Sequence, residues 1–342
     1  MSIQILDCTL RDGGSCLEDM KHYDSTAVFS DKQRHDILTN LDESGINIIE
    51  IGSVEISEII KKEYAIYKNI EEASLAIPNI SEKYAVFYRG PDTPIQEIPN
   101  WGESLIRKAR VCIRYSELKK SIDFCDALVK KGYQVFIQPM VTLRYSDEEI
   151  AYIIHAANDM GAYALYFVDS YGSMNYKDVD RLFSFYDKIL SKDIFIGFHA
   201  HNNKNMAFAN VMRFISLSEN SGRNIIVDST CLGMGQGAGN LQTELIVPYL
   251  NDQFNKKYNF EPILTSCDLI DKFNSNNLWG YSLYRLLPAL YDTAYKYAVS
   301  MRLKYNMSFV EINRVLKNMP DNLRQRYTVI NLEKLLENDK FF

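Results

Sequence analysis

His199-Ala200-His201 places two of the chain's five histidines two residues apart, at the end of a β-rich run. Strand side chains alternate faces, so both imidazoles point the same way and can reach one ion. A carboxylate such as Asp12 would complete a two-histidine, one-carboxylate set with open positions for substrate and water. Either histidine alone would read as an ordinary core or surface residue. The pair on one face of one strand end points to metal.

Three further features carry chemistry. Arg11-Asp12-Gly13-Gly14 follows the first β-rich run and sets a fixed cation beside a hard oxygen ligand, with two glycines where the backbone could turn sharply; a plain surface ion pair is the competing reading. Gly233-Met234-Gly235-Gln236-Gly237-Ala238-Gly239-Asn240 puts a glycine at every second position, which lets backbone approach a ligand, or makes only a tight loop. It is not the dinucleotide-binding glycine pattern, because it follows the last strand and breaks that spacing. Single polar residues stand at the other strand ends: Glu50, Arg89, Arg114, Gln138, Asp169, Ser170 and Asp228. Gln138 and Ser170, with the backbone at Gly235, are expected to bind substrate if these ends converge on one mouth.

The elements that must position these residues repeat as strand then helix. Eight β-rich runs start at Ile3, Ile46, Lys83, Ala109, Tyr133, Ala164, Ile194 and Ile225, at intervals of 24 to 43 residues, near the length of a strand–helix unit. Most are near-continuous apolar runs, as strands buried on both faces should be. Ser30 to Gln33 and Ser146 to Glu149 are helix-opening capping signals, and Gly45, Gly132 and Gly161 mark helix ends. The rhythm predicts an α/β chain folded as a (β/α)8 TIM barrel, with an open doubly wound sheet as the alternative. The barrel is expected over residues 1–250, with 251–262 as a polar linker and 263–342 as a C-terminal helical domain. Helices are expected there over 281–305, 308–318 and 331–338. The longest interval, the first, should lay the stretch from Gly13 to Ser30 over the site.

Composition bounds the function. The 342 residues are 46% hydrophobic, enough to bury a core without disulfides. A net charge of -6 without a long basic run argues against nucleic acid. The six cysteines are widely spaced with no CxxC pair, which fits a reducing cytoplasm and neither a zinc cage nor a disulfide framework. No apolar run reaches the length of a membrane span and no secretory leader is visible, so no membrane partner is expected.

DCTLRDGG, IIEIG, GFHAHNN and GMGQGAGN, in this order, resemble the DRE-TIM metallolyase superfamily of aldolases, Claisen-type synthases and hydroxymethylglutaryl-CoA lyases over about residues 3 to 245. The resemblance implies Asp12, His199 and His201 as metal ligands with Asn240 as a further one, Arg11 on an enolate oxygen, and Glu50 supporting Arg11. It implies a divalent ion, Mn2+ first, with Mg2+, Co2+ or Zn2+ as alternatives. The glycine loop is closest to the 4-hydroxy-2-oxovalerate aldolase branch, which implies a small 2-oxo acid and an aldehyde as substrates. It also implies a helical tail that docks an acylating aldehyde dehydrogenase. A homodimer is a further expectation. Those aldolases carry a general-base histidine just after the RDG motif, whereas Ser15 or Cys16 stands there in this chain; His22 or a tail tyrosine such as Tyr291 is the expected substitute. A Claisen-type acyl-CoA synthase and a catalytically retired metal-binding scaffold are the other readings.

Overall fold

The computed structural model describes residues 1–56, 61–274, 276–324 and 326–337; the last part of the expected 331–338 helix and residues 338–342 of the expected tail domain lie outside that set. The eight apolar runs form parallel strands: β1 (Ile3–Asp7), β2 (Ile48–Val54), β4 (Tyr84–Tyr88), β5 (Lys108–Ile113), β6 (Gln134–Pro139), β7 (Ala164–Asp169), β8 (Phe195–Ala200) and β9 (Ile225–Ser229). A two-residue strand, β3 (Ile66–Tyr67), pairs with the end of β2 and was not foreseen. β1 pairs with both β9 and β2, so the sheet closes into a barrel and the open-sheet alternative is excluded. The strands are buried almost end to end because each has one face on the barrel interior and one against helices.

Those two faces make two apolar layers. Leu6, Ile48, Ala85, Phe136, Ala164, Tyr166 and Ile226 plug the interior. Two residues further along several of the same strands the interior turns polar, at Glu50, Gln138 and Asp228, because i and i+2 share a face. Gly197 on β8 is the space for this arrangement: a Cβ there would lie 2.2 Å from the Tyr166 ring. Any larger residue would push Tyr166 off Asp228, to which its hydroxyl donates at 3.0 Å.

The outer layer is covered by α1 (Thr9–Met20), α2 (Asp31–Glu43), α3 (Ile70–Ser74), α4 (Leu118–Lys130), α5 (Asp147–Met160), α6 (Tyr176–Ile189), α7 (Ala207–Ser221) and α8 (Thr243–Phe254). The expected capping boxes open α2 and α5, where Ser30 and Ser146 accept from the Gln33 and Glu149 amides. The apolar face of α9 (Glu261–Asn274), through Ile263, Cys267, Ile270 and Phe273, belongs to the barrel's outer layer.

One local expectation fails. Arg11 to Gly14 lie within helix α1 and not in a sharp turn. The two glycines answer crowding: a Cβ on Gly14 would lie 1.9 Å from the Tyr64 carbonyl oxygen, and one on Gly13 would lie 2.6 Å from the Met234 sulfur. The stretch from Gly13 to Ser30 is therefore helix as far as Met20, with Ser15 lining the cavity, and turns and irregular chain beyond it.

The tail comprises α10 (Leu283–Leu290), α11 (Tyr295–Leu303), α12 (Phe309–Lys317), α13 (Asp321–Arg324) and α14 (Val329–Leu336). It has its own apolar core around Tyr297, Met301, Ile312, Val315, Leu316, Leu332 and Leu335. The helix expected over 281–305 is two helices, broken where Asp292 adopts a left-handed backbone (φ 48°). The break lets Asp292 pair with Arg144 and accept from Ser173, which ties the tail to the barrel rim. No helix among the described residues is long and apolar enough to cross a membrane.

Asp7, buried at the end of β1, accepts hydrogen bonds from the Thr9 amide and the Thr243 hydroxyl, yet burial pushes its carboxyl up to about 6. A folded-state value above the unfolded one means that its contribution to stability is complete below about pH 4 and lost as pH rises through 6. Urea unfolding of wild type and Asp7→Asn at pH 4 and pH 8 should show the variant gaining, relative to wild type, on the order of 2–3 kcal/mol at the higher pH.

Candidate metal centre and cavity

The site is built from the carboxyl ends of the strands and the first turns of α1. Asp12 comes from α1, His199 and His201 from β8 and the residue after it, and Asn240 from the end of the glycine loop. Donor atoms of Asp12, His199 and His201 all lie within 4.8 Å of one another, and all three residues are buried. Each imidazole is oriented from behind. His199 Nδ1 meets Asp228 Oδ2 at 2.9 Å, and His201 Nδ1 meets the Asp169 carbonyl at 3.0 Å. A ring nitrogen held by an oxygen acceptor carries the proton, which leaves Nε2 of each ring as the free donor.

Electrostatics suit a cation. Burial, with His199 alongside, pulls His201 down to about 4, so its ring is neutral at physiological pH. Burial alone would raise Asp12, but Arg11 and the two histidines hold it well below the usual carboxylate range. Asp12 Oδ2 and His201 Nε2 stand 3.8 Å apart, too far for a hydrogen bond. Asn240 donates to Asp12 Oδ2 at 2.5 Å, and its Oδ1 is buried without a partner among the described residues. Two imidazoles presenting Nε2, an ionised carboxylate and an orphaned amide oxygen fit a divalent ion. Gly235 gives this group its room: a Cβ there would lie 2.3 Å from Asn240 Nδ2 and 2.6 Å from Asp12 Oδ2.

Behind these donors runs a continuous chain of buried charge. Arg11 donates through NH1 to Asp12 at 2.5 Å and through Nε to Glu50 at 2.6 Å. Glu50 also accepts from Arg110 at 2.7 Å, and Arg110 reaches Asp228, which holds His199. Arg110 has no solvent exposure. The Gln138 amide oxygen, turned toward Arg110, accepts from its Nε at 2.6 Å. Arg110 was missed in the sequence, although a cation in the middle of an apolar strand is itself a signal of a buried partner.

The metal donors lie at the floor of a cavity of about 630 Å³. Arg11, Gln138, Ser170, His199 and His201 line it as expected, with Phe87 packed under the Arg11 guanidinium at 4.6 Å. Ser15 lines it too, accepting from Arg89 at 3.2 Å, whereas Cys16 faces the Leu278 carbonyl outside. Glu50 and Gly235 do not line it: Glu50 holds Arg11 from behind, and Gly235, expected to bind substrate, instead leaves room for Asn240 and Asp12. His22 is exposed in the turn after α1 and does not reach the cavity. Tyr291 donates to Asn313 within the tail. Two tail tyrosines stand at the mouth, Tyr295 and Tyr327, among five tail residues there with Ala294, Lys296 and Arg326. Tyr295 and Lys296 both bond to Asp19 of α1, at 3.1 and 2.7 Å, and Gln236 of the glycine loop bonds to the same carboxylate at 2.6 Å. No spacing signal could have placed these tail residues, because only tertiary packing brings them over the barrel.

Residues 2–270 match the HMGL-like family model. The chain belongs to the HMGL-like family. It is 29% identical over 266 residues to a 4-hydroxy-2-oxovalerate aldolase from Geobacillus genomosp. 3, covering 73% of this chain and 71% of the relative. It is 28% identical over 251 residues to an oxaloacetate decarboxylase from Mycobacterium tuberculosis, covering 72% and 69%. Its fold matches the N-terminal domain of a Bacteroides vulgatus protein described as a candidate aldolase, with a TM-score of 0.71, 23% identity and coverage of 91% and 99%. A hydroxymethylglutaryl-CoA lyase from Pseudomonas aeruginosa shares the fold at a TM-score of 0.63 and 16% identity over 80% of this chain and 93% of that one. This HMGL-like chain is a DRE-TIM lyase acting on carbon–carbon bonds, a group that uses a divalent metal.

The orientation of His199 by Asp228 is directly testable. Asp228→Asn should weaken Mn2+ or Co2+ binding by about 10–100-fold in a metal titration, with the folded circular-dichroism spectrum retained.

Proposed function

We propose that the protein is a divalent-metal-dependent aldolase that makes or breaks a bond beside the keto group of a 2-oxo acid of the pyruvate type. The observation that carries this reading is the placement of Arg11 and the three donors Asp12, His199 and His201 on the floor of one cavity. An ion held by these donors, with Asn240 in support and Mn2+ as the first candidate, would supply Lewis-acid polarisation of the keto group. Arg11 commits Nε to Glu50 and NH1 to Asp12, which leaves NH2 without a protein partner among the described residues. That nitrogen stabilises the charge that develops on the enolate oxygen, in a buried setting where a fixed donor is worth more than in water. Gln138 and Ser170 bound the substrate from β6 and the turn after β7. The tail wall, through Tyr295 and Lys296, limits water at the mouth.

An aldolase must also take a proton from the hydroxyl of the carbon that becomes the aldehyde. Ser15, at the place of the branch's base, is a poor base at neutral pH. Tyr295 is a tail hydroxyl at the cavity; burial raises it well above the usual tyrosine range, so it serves as a relay that passes the substrate's proton on to Asp19, to which it donates. The same absence favours a second reading, decarboxylation of a 3-carboxy-2-oxo acid, because loss of carbon dioxide removes no hydroxyl proton. The relative from Mycobacterium tuberculosis bears that activity in its name.

Deuterium exchange at C3 of pyruvate, followed by NMR in the Mn2+-loaded protein, should be lost on chelation and in Asp12→Asn; exchange that survives both sinks the enolate reading. Tyr295→Phe should lower aldol cleavage about 100-fold and leave carbon dioxide release from oxaloacetate unchanged. Rapid decarboxylation with no aldol turnover in wild type would select the second reading.

A further inference from the structure

The cavity is larger than pyruvate and a two-carbon aldehyde need, since about 630 Å³ falls within the range that holds drug-sized ligands. Its walls are also unequally charged. Five cationic side chains, Arg11, Arg89, Arg114, Lys296 and Arg326, line it against three acidic ones, Asp12, Glu55 and Asp92. Four of the cations have acidic partners: Arg11 has Glu50 and Asp12, Arg89 has Glu55 at 2.8 Å, Arg114 has Glu117 at 2.9 Å, and Lys296 has Asp19 at 2.7 Å. Arg326 has no acidic partner among the described residues, and it stands on the tail wall with Lys296.

We infer that Arg326, on the tail wall that Lys296 also lines, forms a distal anion subsite that selects substrates whose acceptor portion is longer than two carbons and ends in a carboxylate or phosphate. The inference rests on the metal-dependent 2-oxo acid reading above for the position of the reacting end. A guanidinium offers a planar pair of donors to either oxyanion, which is the reason for Arg at such a position. The inner end of the substrate is read by Arg11 and the donor set, and the outer end by the tail. Specificity for the chain beyond the scissile bond then resides in the tail, apart from Arg11 and the metal donors.

The test uses the full-length Mn2+-loaded protein. Calorimetry would compare 2-oxo dicarboxylates with monocarboxylates of the same length, 2-oxoadipate with 2-oxohexanoate and 2-oxopimelate with 2-oxoheptanoate. The expected result is that Arg326→Ala weakens at least one dicarboxylate about tenfold, leaves its monocarboxylate partner within twofold, and is only partly rescued by Arg326→Lys, which keeps the charge without the planar fork. Unchanged dicarboxylate binding in Arg326→Ala, or equal weakening of both partners, overturns the subsite. Aldol turnover with pyruvate identifies the anion. Succinic semialdehyde is compared with butanal, and glyceraldehyde 3-phosphate with glyceraldehyde; the pair whose preference collapses in Arg326→Ala names carboxylate or phosphate. Absence of turnover with every aldehyde would count against the aldolase reading alone, while the binding comparison still decides the subsite.

Discussion

The buried chain Asp12–Arg11–Glu50–Arg110–Asp228–His199 is the constraint on which the site depends. It runs from α1 through β2, β5 and β9 to β8, so two metal donors within 4.8 Å of each other are fixed by one set of ion pairs. Burying charge is costly unless every member is paired, and removal of one partner leaves its neighbours uncompensated at a cost of about 3–5 kcal/mol. Arg110, which does not line the cavity, joins the Arg11 half to the His199 half. Three carboxylates against two guanidiniums leave the chain one negative charge. That balance favours a divalent cation, and the positive charge then left over favours an anionic substrate.

Much of this site was legible because its residue types are rare where they occur. Two histidines on one face of a strand end, and an Arg-Asp pair after the first strand, stand out against apolar runs. The spacing of those runs fixed the barrel rhythm, and pairing of β1 with both neighbours closes it. Other features were hidden for physical reasons. Gly13 and Gly14 read as a turn because sequence shows a glycine's freedom but not the Tyr64 carbonyl or Met234 sulfur that excludes a side chain. The break at Asp292 depends on Arg144 and Ser173, which lie more than a hundred residues away. The missing histidine after the RDG motif was visible, but its expected substitutes, His22 and Tyr291, both point elsewhere. Only packing could reveal Tyr295.

The tail is part of the cavity, so the barrel and tail share one functional surface while keeping separate apolar cores. Separate cores let the tail change without disturbing the strands. The shared surface makes such changes felt at the mouth.

The convergence of Gln236, Tyr295 and Lys296 on Asp19 also has a meaning in time. Synthesis runs from the N-terminus, so Asp12, His199, His201 and Asn240 have all been made before Lys296, which follows Asn240 by 56 residues. At about 5–20 residues per second, the ribosome completes the donor set some seconds before it supplies the residues that wall the mouth. The nascent barrel therefore passes through an interval in which its metal floor faces open water, and ion capture is least obstructed before the chain is finished.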